Sequence, residues 1–181
     1  MSATEALLDT CCIINLCAIH RPPGQLFAQF PFNWKVAKAV AEEEVSIRPH
    51  ETADRHERQK IDLRPCFESG VFDLCEVSTE QEMEIYVELA AEIDDGEAMS
   101  IAIASCRGWS VATDDIPARV AAAKRSVNTY CTPQLLRIWV ETNMISTPEV
   151  SSAILRIERL ARYVPHANLP EAQWWAKHRA G

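Results

Sequence analysis

Residues 94–119, DDGEAMSIAIASCRGWSVATDDIPAR, decide the fold that the sequence predicts. An acidic start leads into a small-residue apolar helix, and Gly108 ends that helix because glycine tolerates the left-handed cap conformation. Residues 109–113 then predict a short buried strand that stops at Asp114 and Asp115. One compact helix–strand unit therefore places acidic side chains at a helix start and at a strand end.

Strands and helices alternate along the rest of the chain. Short apolar runs at residues 6–8, 34–36, 71–77 and 127–131 predict further strands, and segments with helical periodicity lie between them. Such alternation is typical of a parallel sheet covered by helices on both faces. We therefore predict an α/β fold with a central, mainly parallel sheet. The helix after residues 34–36 is expected to carry Glu43 about two turns from its start.

Other segments lead to more specific expectations. Residues 48–60 are almost wholly polar, which predicts either an exposed helix extension or a mobile insertion. Thr147 is expected to cap the last long helix, with Pro148 as its first residue. The adjacent Trp174 and Trp175 are expected to pack back on the domain or to contact another chain. The helix that precedes residue 94 should bury one face, made of Met83, Tyr86, Val87, Leu89 and Ala90.

The composition favours one soluble domain. The chain has 181 residues, 48% of them hydrophobic, and a net charge of -8, which argues against a protein coated in nucleic acid but allows a local basic groove. Its seven cysteines include no CxxC pair, so they predict buried free thiols in a reducing compartment rather than a zinc knuckle or a dithiol redox site. No secretory signal or membrane-spanning run is visible, and we predict a cytoplasmic protein without membrane contact.

Acidic side chains are predicted to gather at one edge of the sheet. Ligands of an open α/β sheet collect beyond the carboxyl ends of its strands. Carboxylates held close together there repel one another, and a hard divalent cation such as Mg²⁺ or Mn²⁺ relieves the repulsion. One or two such ions can activate water for phosphodiester cleavage. The acids that the predicted elements place at this edge are Asp9, Glu43, Glu97 and Asp115.

Each of these acids also fits a purely structural role. Asp9 followed by Thr10 is a typical helix start, and so is Asp115. Glu97 suits the first turn of a helix, where its charge complements the helix dipole. The run of glutamates around Glu43 is typical of a solvated helix face. Their joint placement at corresponding ends of successive elements favours the metal site over these single explanations.

The same positions resemble the motifs of PIN-domain proteins, the nuclease fold that toxins of the VapC type share. The resemblance covers residues 4–143, and its second acid is Glu43 or, one residue along, Glu44. The segments that carry it are residues 6–10, ALLDT; residues 36–43, VAKAVAEE; residues 96–104, GEAMSIAIA; and residues 111–119, VATDDIPAR.

This resemblance implies a three-layer α/β/α fold and a metal-dependent ribonuclease. It implies an RNA substrate, Mg²⁺ or Mn²⁺ as the cofactor, a homodimer and, for the toxin role, an antitoxin protein as partner. It divides the chain into a nuclease domain at residues 1–143, with a polar insertion at residues 48–66, and a C-terminal helical extension at residues 144–181. The metal ligands that it implies are Asp9, Glu43, Glu97 and Asp115, with Asp114 as a neighbouring ligand.

Supporting roles are implied for a few further residues. Thr10 belongs to the first motif, and Thr113 would hydrogen-bond a ligand carboxylate or the attacking water, although it also suits a plain strand. Cations must offset the acidic pocket when a nucleic acid binds. The basic residues nearest the fourth motif are Arg119, Lys124 and Arg125, which suit a solvated helix face equally well.

Two other function classes remain open on the sequence. A non-catalytic module that keeps the PIN fold would bind RNA or protein without cleaving it, and the intact set of acids disfavours this interpretation. A phospho-acceptor receiver domain also has acidic strand ends. That fold needs an acidic pair beside its first strand and a lysine after its last, and residues 1–8 and 127–131 lack these features.

Overall fold

A five-stranded parallel sheet forms the centre of the computed structural model, which describes residues 4–50 and 57–180. Its strands follow the order β5-β2-β1-β6-β7. Two further strands, β3 and β4, pair antiparallel in a separate small hairpin. The strands are β1 (Thr4–Leu8), β2 (Phe32–Ala37), β3 (Ser46–Ile47), β4 (Gln59–Lys60), β5 (Phe72–Cys75), β6 (Ser110–Ala112) and β7 (Thr129–Tyr130).

Helices cover both faces of the sheet. One layer contains α3, α5, α6 and α7, in which α6 contacts the other three, and the second contains α1, α8 and a C-terminal π-helical turn. The predicted three-layer α/β/α architecture is confirmed. The helices are α1 (Thr10–Cys17), α2 (Pro23–Phe27), α3 (Lys38–Ala41), α4 (Arg64–Glu68), α5 (Glu80–Leu89), α6 (Asp95–Arg107), α7 (Ile116–Lys124), α8 (Thr132–Asn143), α9 (Thr147–Arg156), the π-helix Ile157–Ala161 and α10 (Ala172–Arg179).

The strand order creates one crevice at the carboxyl edge of the sheet. The chain leaves the central strand β1 toward β2 on one side, whereas β6 and β7 lie on the other side. Leu8 is aligned with Ala112, so β1 and β6 end at the same level. Parallel sheets bind ligands where the strand order reverses in this way. The residues that follow Leu8 and Ala112 are therefore placed at the expected binding position.

The helix–strand unit at residues 94–119 forms as the sequence predicts. Gly108 ends α6 in the left-handed conformation, with φ at 67°. Residues 110–112 then form the buried strand β6. All seven cysteines are free thiols, five of them buried. Within the described residues, no helix is both long and apolar enough to cross a membrane.

The helix after β2 is shorter than predicted. α3 ends at Ala41, and Glu43 lies in the following turn, where its backbone N–H donates to the Val40 carbonyl at 3.2 Å. The prediction that Glu43 lies about two turns into a helix was therefore wrong. Consecutive carboxylates at this end of the helix meet the negative pole of its dipole, which disfavours continuation.

The polar segment after that turn contains part of the β3–β4 hairpin. Ile47 is aligned with Gln59 across the two strands. Gln59–Lys60 form a strand rather than a helix extension, and the mobile insertion stays a prediction. Residues 51–56 of this prediction lie outside the described residues.

The C-terminal region packs back on the domain, as the tryptophan pair predicts. Trp175 is buried and its indole N–H donates to Glu158 Oε1 at 3.0 Å. Arg156 donates to the carbonyl of Ile19 at 2.9 Å. The predicted cap was wrong by one residue, because α9 begins at Thr147 itself, after Ser146 as its N-cap.

The buried face of α5 also differs from the prediction. Met83 and Val87 are 47% and 63% exposed, whereas Glu82 is buried. Glu82 closes a capping box with Thr79, and its carboxylate accepts from Arg107 Nε at 2.6 Å. An ion pair to α6 therefore sets the rotation of α5, which apolar periodicity does not reveal.

We expect Glu82→Gln to lower the free energy of unfolding by about 2 kcal/mol at neutral pH, because Arg107 loses its charged partner. The bond from Arg107 lowers the pKa of Glu82 from 4.5 to about 2. This stabilisation is present above pH 4.5 and is lost as the pH falls toward 2. Urea denaturation measures both effects, with the exposed neighbour Glu84→Gln as the control. Equal losses in the two variants would contradict the ion-pair assignment.

Candidate metal and nuclease site

Asp9 is the most constrained acid at the carboxyl edge of the sheet. It follows β1 directly, is 5% exposed, and its backbone N–H donates to the Ala112 carbonyl at 3.0 Å. Its Oδ1 accepts from the Thr10 N–H at 2.8 Å, and its Oδ2 accepts from Thr113 Oγ1 at 3.0 Å and from Cys11 Sγ at 2.8 Å. Burial raises the pKa of Asp9 although these three hydrogen bonds oppose the rise. The Asp9 carboxylate is therefore fixed in the crevice.

Glu97 lies in the first turn of α6 and faces the same crevice. Burial raises its pKa from 4.5 to about 8, and the charges of Asp9, Asp115 and Asp94 add to the rise. Because a nearby like charge disfavours ionisation, these contributions show that several carboxylates share one region. The charges of Asp9 and Asp115 thus act on Glu97, and the joint role of these acids as metal ligands stays a prediction.

Asp115 begins the helix that follows β6. Its Oδ1 accepts from the Ala118 N–H at 2.8 Å, which makes it the N-cap of α7. Its own N–H donates to Thr113 Oγ1 at 3.1 Å. The fully buried Thr113 hydroxyl therefore joins Asp115 to Asp9, since it donates to one and accepts from the other. Thr113 supports the crevice as a connector between two acids.

Thr10 contributes its backbone to the same crevice. Its hydroxyl oxygen is buried and has no hydrogen-bond partner among the residues that the structure describes. A buried hydroxyl beside Asp9 without a protein partner is the kind of group that a bound water or ligand satisfies.

Glu43 approaches the start of α6 beside Glu97. A Cβ placed on Gly96 would lie 2.9 Å from Glu43 Oε1 and 2.9 Å from Val40 Cγ2, so the carboxylate is in close contact with this turn. Glu44 points elsewhere, because its carboxylate pairs with Lys60 at 3.4 Å and its side chain is 65% exposed. The structure therefore brings Glu43, rather than Glu44, toward the crevice.

Asp114 differs from its neighbour Asp115 because its carboxylate binds the protein itself. Oδ1 accepts from the Thr132 N–H at 2.8 Å and from the Tyr163 hydroxyl at 2.8 Å. Oδ2 accepts from Asn15 Nδ2 at 2.9 Å and from the Thr132 hydroxyl. These donors come from α1, α8 and the C-terminal segment, so Asp114 joins three parts of the fold.

Two thiols lie beside these acids. In the described part of the chain, the ligand atoms of Cys11, Cys12 and Asp114 lie within 4.8 Å of one another, and no three of the predicted ligand acids come that close. Repulsion among unneutralised carboxylates explains their wider spacing. The Asp114 oxygens already accept several hydrogen bonds, whereas the predicted acids offer hard oxygen donors, which fit Mg²⁺ or Mn²⁺.

The predicted basic residues do not act as one group. Arg119 lies one turn into α7, where its N–H donates to the Asp115 carbonyl at 3.0 Å. Lys124 and Arg125 lie at the other end of that helix, about 13 Å along its axis from Asp115. Arg125 pairs with Glu88 at 2.8 Å. The structure brings only Arg119 of the three toward the acids.

Sequence reasoning missed several residues around the acids. Cys11, which hydrogen-bonds Asp9, was treated only as a buried thiol. Asn15 gave a usable signal, because a polar residue inside an apolar helix usually binds another buried group. Thr132 and Tyr163 meet Asp114 only through the tertiary fold, and nothing local in the sequence indicates them.

Comparison with known protein families gives one finding. A family model described as a PIN domain matches residues 5–173, which includes the sheet, the acidic crevice and most of the C-terminal region. No curated protein and no solved structure matches the chain.

We expect Glu97→Gln to stabilise the metal-free protein at pH 8 by about 1–2 kcal/mol, a value reduced for solvent screening of a half-buried side chain. In the wild type, the raised pKa of Glu97 makes stability fall as the pH rises from 4.5 to about 8. Thermal denaturation over this range tests the effect, with the exposed Glu92→Gln as the control. Mn²⁺ should stabilise the wild type more than Glu97→Gln. A pH profile that Glu97→Gln leaves unchanged would refute the crowded crevice.

We expect Gly96→Ala to weaken Mn²⁺ binding about tenfold, because the added methyl group meets Glu43 and the buried Val40. Alanine ordinarily favours a helix over glycine by about 0.5–1 kcal/mol, and here that gain should not appear. Calorimetric Mn²⁺ titration and thermal denaturation measure the two effects. Gly24→Ala is the matched control, since a Cβ there meets nothing within 4 Å. An unaltered Mn²⁺ affinity in Gly96→Ala would contradict the assignment of Glu43 as a metal ligand.

Proposed function

Because the chain belongs to the PIN-domain family, whose members are generally nucleases, we propose that it is a divalent-metal-dependent endoribonuclease. The observation that carries this proposal is the raised pKa of Glu97, about 8, which results from its burial near Asp9 and Asp115. Such a crevice binds a proton or a divalent cation in preference to standing fully ionised.

In this proposal, Asp9, Glu43, Glu97 and Asp115 hold Mg²⁺ or Mn²⁺ through oxygen ligands. When bound, the ion supplies charge neutralisation and Lewis acidity toward a phosphodiester and toward water. Asp114 is left out of the ligand set, because its oxygens accept four hydrogen bonds from Thr132, Tyr163 and Asn15, whereas those of Asp9 accept three.

The remaining residues keep this constellation in place. Thr113 holds Asp9 and the backbone of Asp115 in fixed relation, so it orients two ligands through one hydroxyl. The hydrogen bond that the Asp115 side chain accepts from the Ala118 N–H fixes the orientation of this carboxylate. Arg119, one turn further on, is the cation that would offset the phosphate charge beside the acids.

We also propose a biological role, on the resemblance of residues 96–104 and 111–119 to VapC-type motifs. The protein would be the toxin of a type II toxin–antitoxin pair, acting as a homodimer and inhibited by an antitoxin protein. Growth arrest on expression in a bacterial host, relieved by Asp9→Asn, supports this role. Metal-dependent RNA cleavage without growth arrest would support the nuclease function but contradict the toxin role.

The decisive variant is Asp9→Asn, which we expect to reduce Mn²⁺-dependent cleavage of a labelled RNA by about 100-fold or more. Its melting temperature should be unchanged or raised, because the crevice loses one negative charge. Asp73→Asn, at an exposed site on the edge strand β5, is the matched control.

The assay compares RNA with DNA of the same sequence, with Mn²⁺ and with EDTA. Cleavage that persists in EDTA, or equally in Asp9→Asn, would refute the proposed metal site. Calorimetry that finds no Mn²⁺ binding but tight RNA or protein binding would move the assignment to the non-catalytic PIN-fold module.

A further inference from the structure

A second concave surface lies directly beside the acidic crevice. A cavity of about 560 Å³ starts at Asp114 and runs between α7 and residues 163–169. This volume falls within the range of about 300–1,000 Å³ that is usual for small-ligand sites. One of its walls belongs to the C-terminal region, which the predicted division placed outside the nuclease domain. The proposed metal ligands do not line this cavity, and of its lining residues only Arg119 has a role in the proposed hydrolysis.

Apolar side chains form the facing walls of the cavity. Ile116 and Val120 lie one turn apart on α7 and are 58% and 51% exposed, and Val164 across from them is 65% exposed. Apolar side chains so placed favour the flat face of an aromatic ring over water. His166 and Asn168 add polar groups to the lining, which suits a ligand with hydrogen-bonding edges.

Arg119 gives the cavity a hydrogen-bond donor that a bound anion would satisfy. Its side chain lines the cavity, and its Nε is buried without a hydrogen-bond partner among the residues that the structure describes. A buried guanidinium donor left unpaired destabilises a protein, and a phosphate offers several acceptor oxygens that the planar guanidinium can bind through two donors. Arg107 pairs with Glu82 and Arg125 with Glu88, whereas the Nε of Arg48, which does not line this cavity, is also buried without a described partner.

The C-terminal wall is firmly attached to the acidic crevice. Tyr163 donates its hydroxyl to Asp114 Oδ1 at 2.8 Å, and its ring meets that of Trp175 edge-on at 6.0 Å. Burial, and then the Asp114 charge, raise the pKa of Tyr163, so the hydroxyl keeps the proton that it donates. The cavity is therefore preformed, and it is held at a fixed distance from the candidate metal ligands.

We propose that this cavity binds one nucleotide of the RNA, with its base between α7 and residues 163–169 and its phosphate on Arg119. The proposal rests on the ribonuclease function above, and it adds a subsite that selects the base beside the cleaved bond. Arg119 lies four residues from Asp115 along α7, about 6 Å of axial rise, so a phosphate bound by Arg119 would lie beside this proposed ligand.

The test titrates the metal-free protein with the four ribonucleoside 5′-monophosphates and the matching nucleosides, by NMR or calorimetry. We expect Val120→Glu to weaken both kinds of ligand about tenfold, since it narrows and charges the apolar wall. Arg119→Gln should weaken the monophosphates about tenfold and leave the nucleosides unchanged. The controls are Met144→Glu, at a residue 90% exposed outside the cavity, and the exposed Lys177→Gln.

Cleavage kinetics separate this inference from the function on which it rests. Val120→Glu should raise KM for RNA several-fold with little change in kcat, whereas Arg119→Gln, which also removes the cation beside the acids, should raise KM and lower kcat. Cleavage with unchanged KM, or wild-type affinity of both variants for monophosphates, overturns the subsite and leaves the ribonuclease standing. Nucleotide binding that the variants abolish, in a protein that cleaves no RNA, supports the subsite and counts against the ribonuclease. Competition by a peptide but by no nucleotide also overturns the inference.

Discussion

Repulsion among carboxylates in one crevice is the constraint on which the rest of this structure depends. The parallel sheet ends β1 and β6 at the same level, and Thr113, just after β6, donates to Asp9 and accepts from the backbone N–H of Asp115. α6 then delivers Glu97 to the same region, where its ionisation is opposed and its pKa rises to about 8. The fold tolerates this arrangement because Thr113 and Cys11 hydrogen-bond Asp9. Open α/β sheets bind ligands at such a strand-order reversal, and a cation bound there would relieve this repulsion.

Asp114 and Asp115 are adjacent in the chain, but their surroundings give them different roles. Asp114 and Asp115 are chemically identical and follow the same strand, yet the first is surrounded by donors and the second only caps α7. Removing Asp114 would release Thr132 and Tyr163, and so would loosen α8 and the C-terminal segment. The hydrogen bonds of Asp114 favour the predicted order, and Asp115 as the ligand with Asp114 as its neighbour stays a prediction.

The sequence revealed those parts of the site that local rules control. Short-range patterns predict a strand that ends at Asp9 and a helix that starts before Glu97. The parallel sheet then places the ends of these elements at one edge. The errors arose where tertiary contacts decide. α3 stops before Glu43, and the Glu82–Arg107 ion pair turns α5 away from the face that its apolar residues suggested. Hydrogen-bond partners from distant elements cannot be found by periodicity at all.

The C-terminal region therefore has a more direct relation to the crevice than a helical appendage would. Tyr163 reaches Asp114, and the same segment forms one wall of the cavity beside α7. The opposite wall begins at Ile116, the residue after the proposed ligand Asp115. A change in the C-terminal segment thus alters the surface next to the acids without touching the acids themselves. In the proposed function, catalysis and substrate choice would then vary separately, since the sheet edge would fix the first and the C-terminal wall would shape the second.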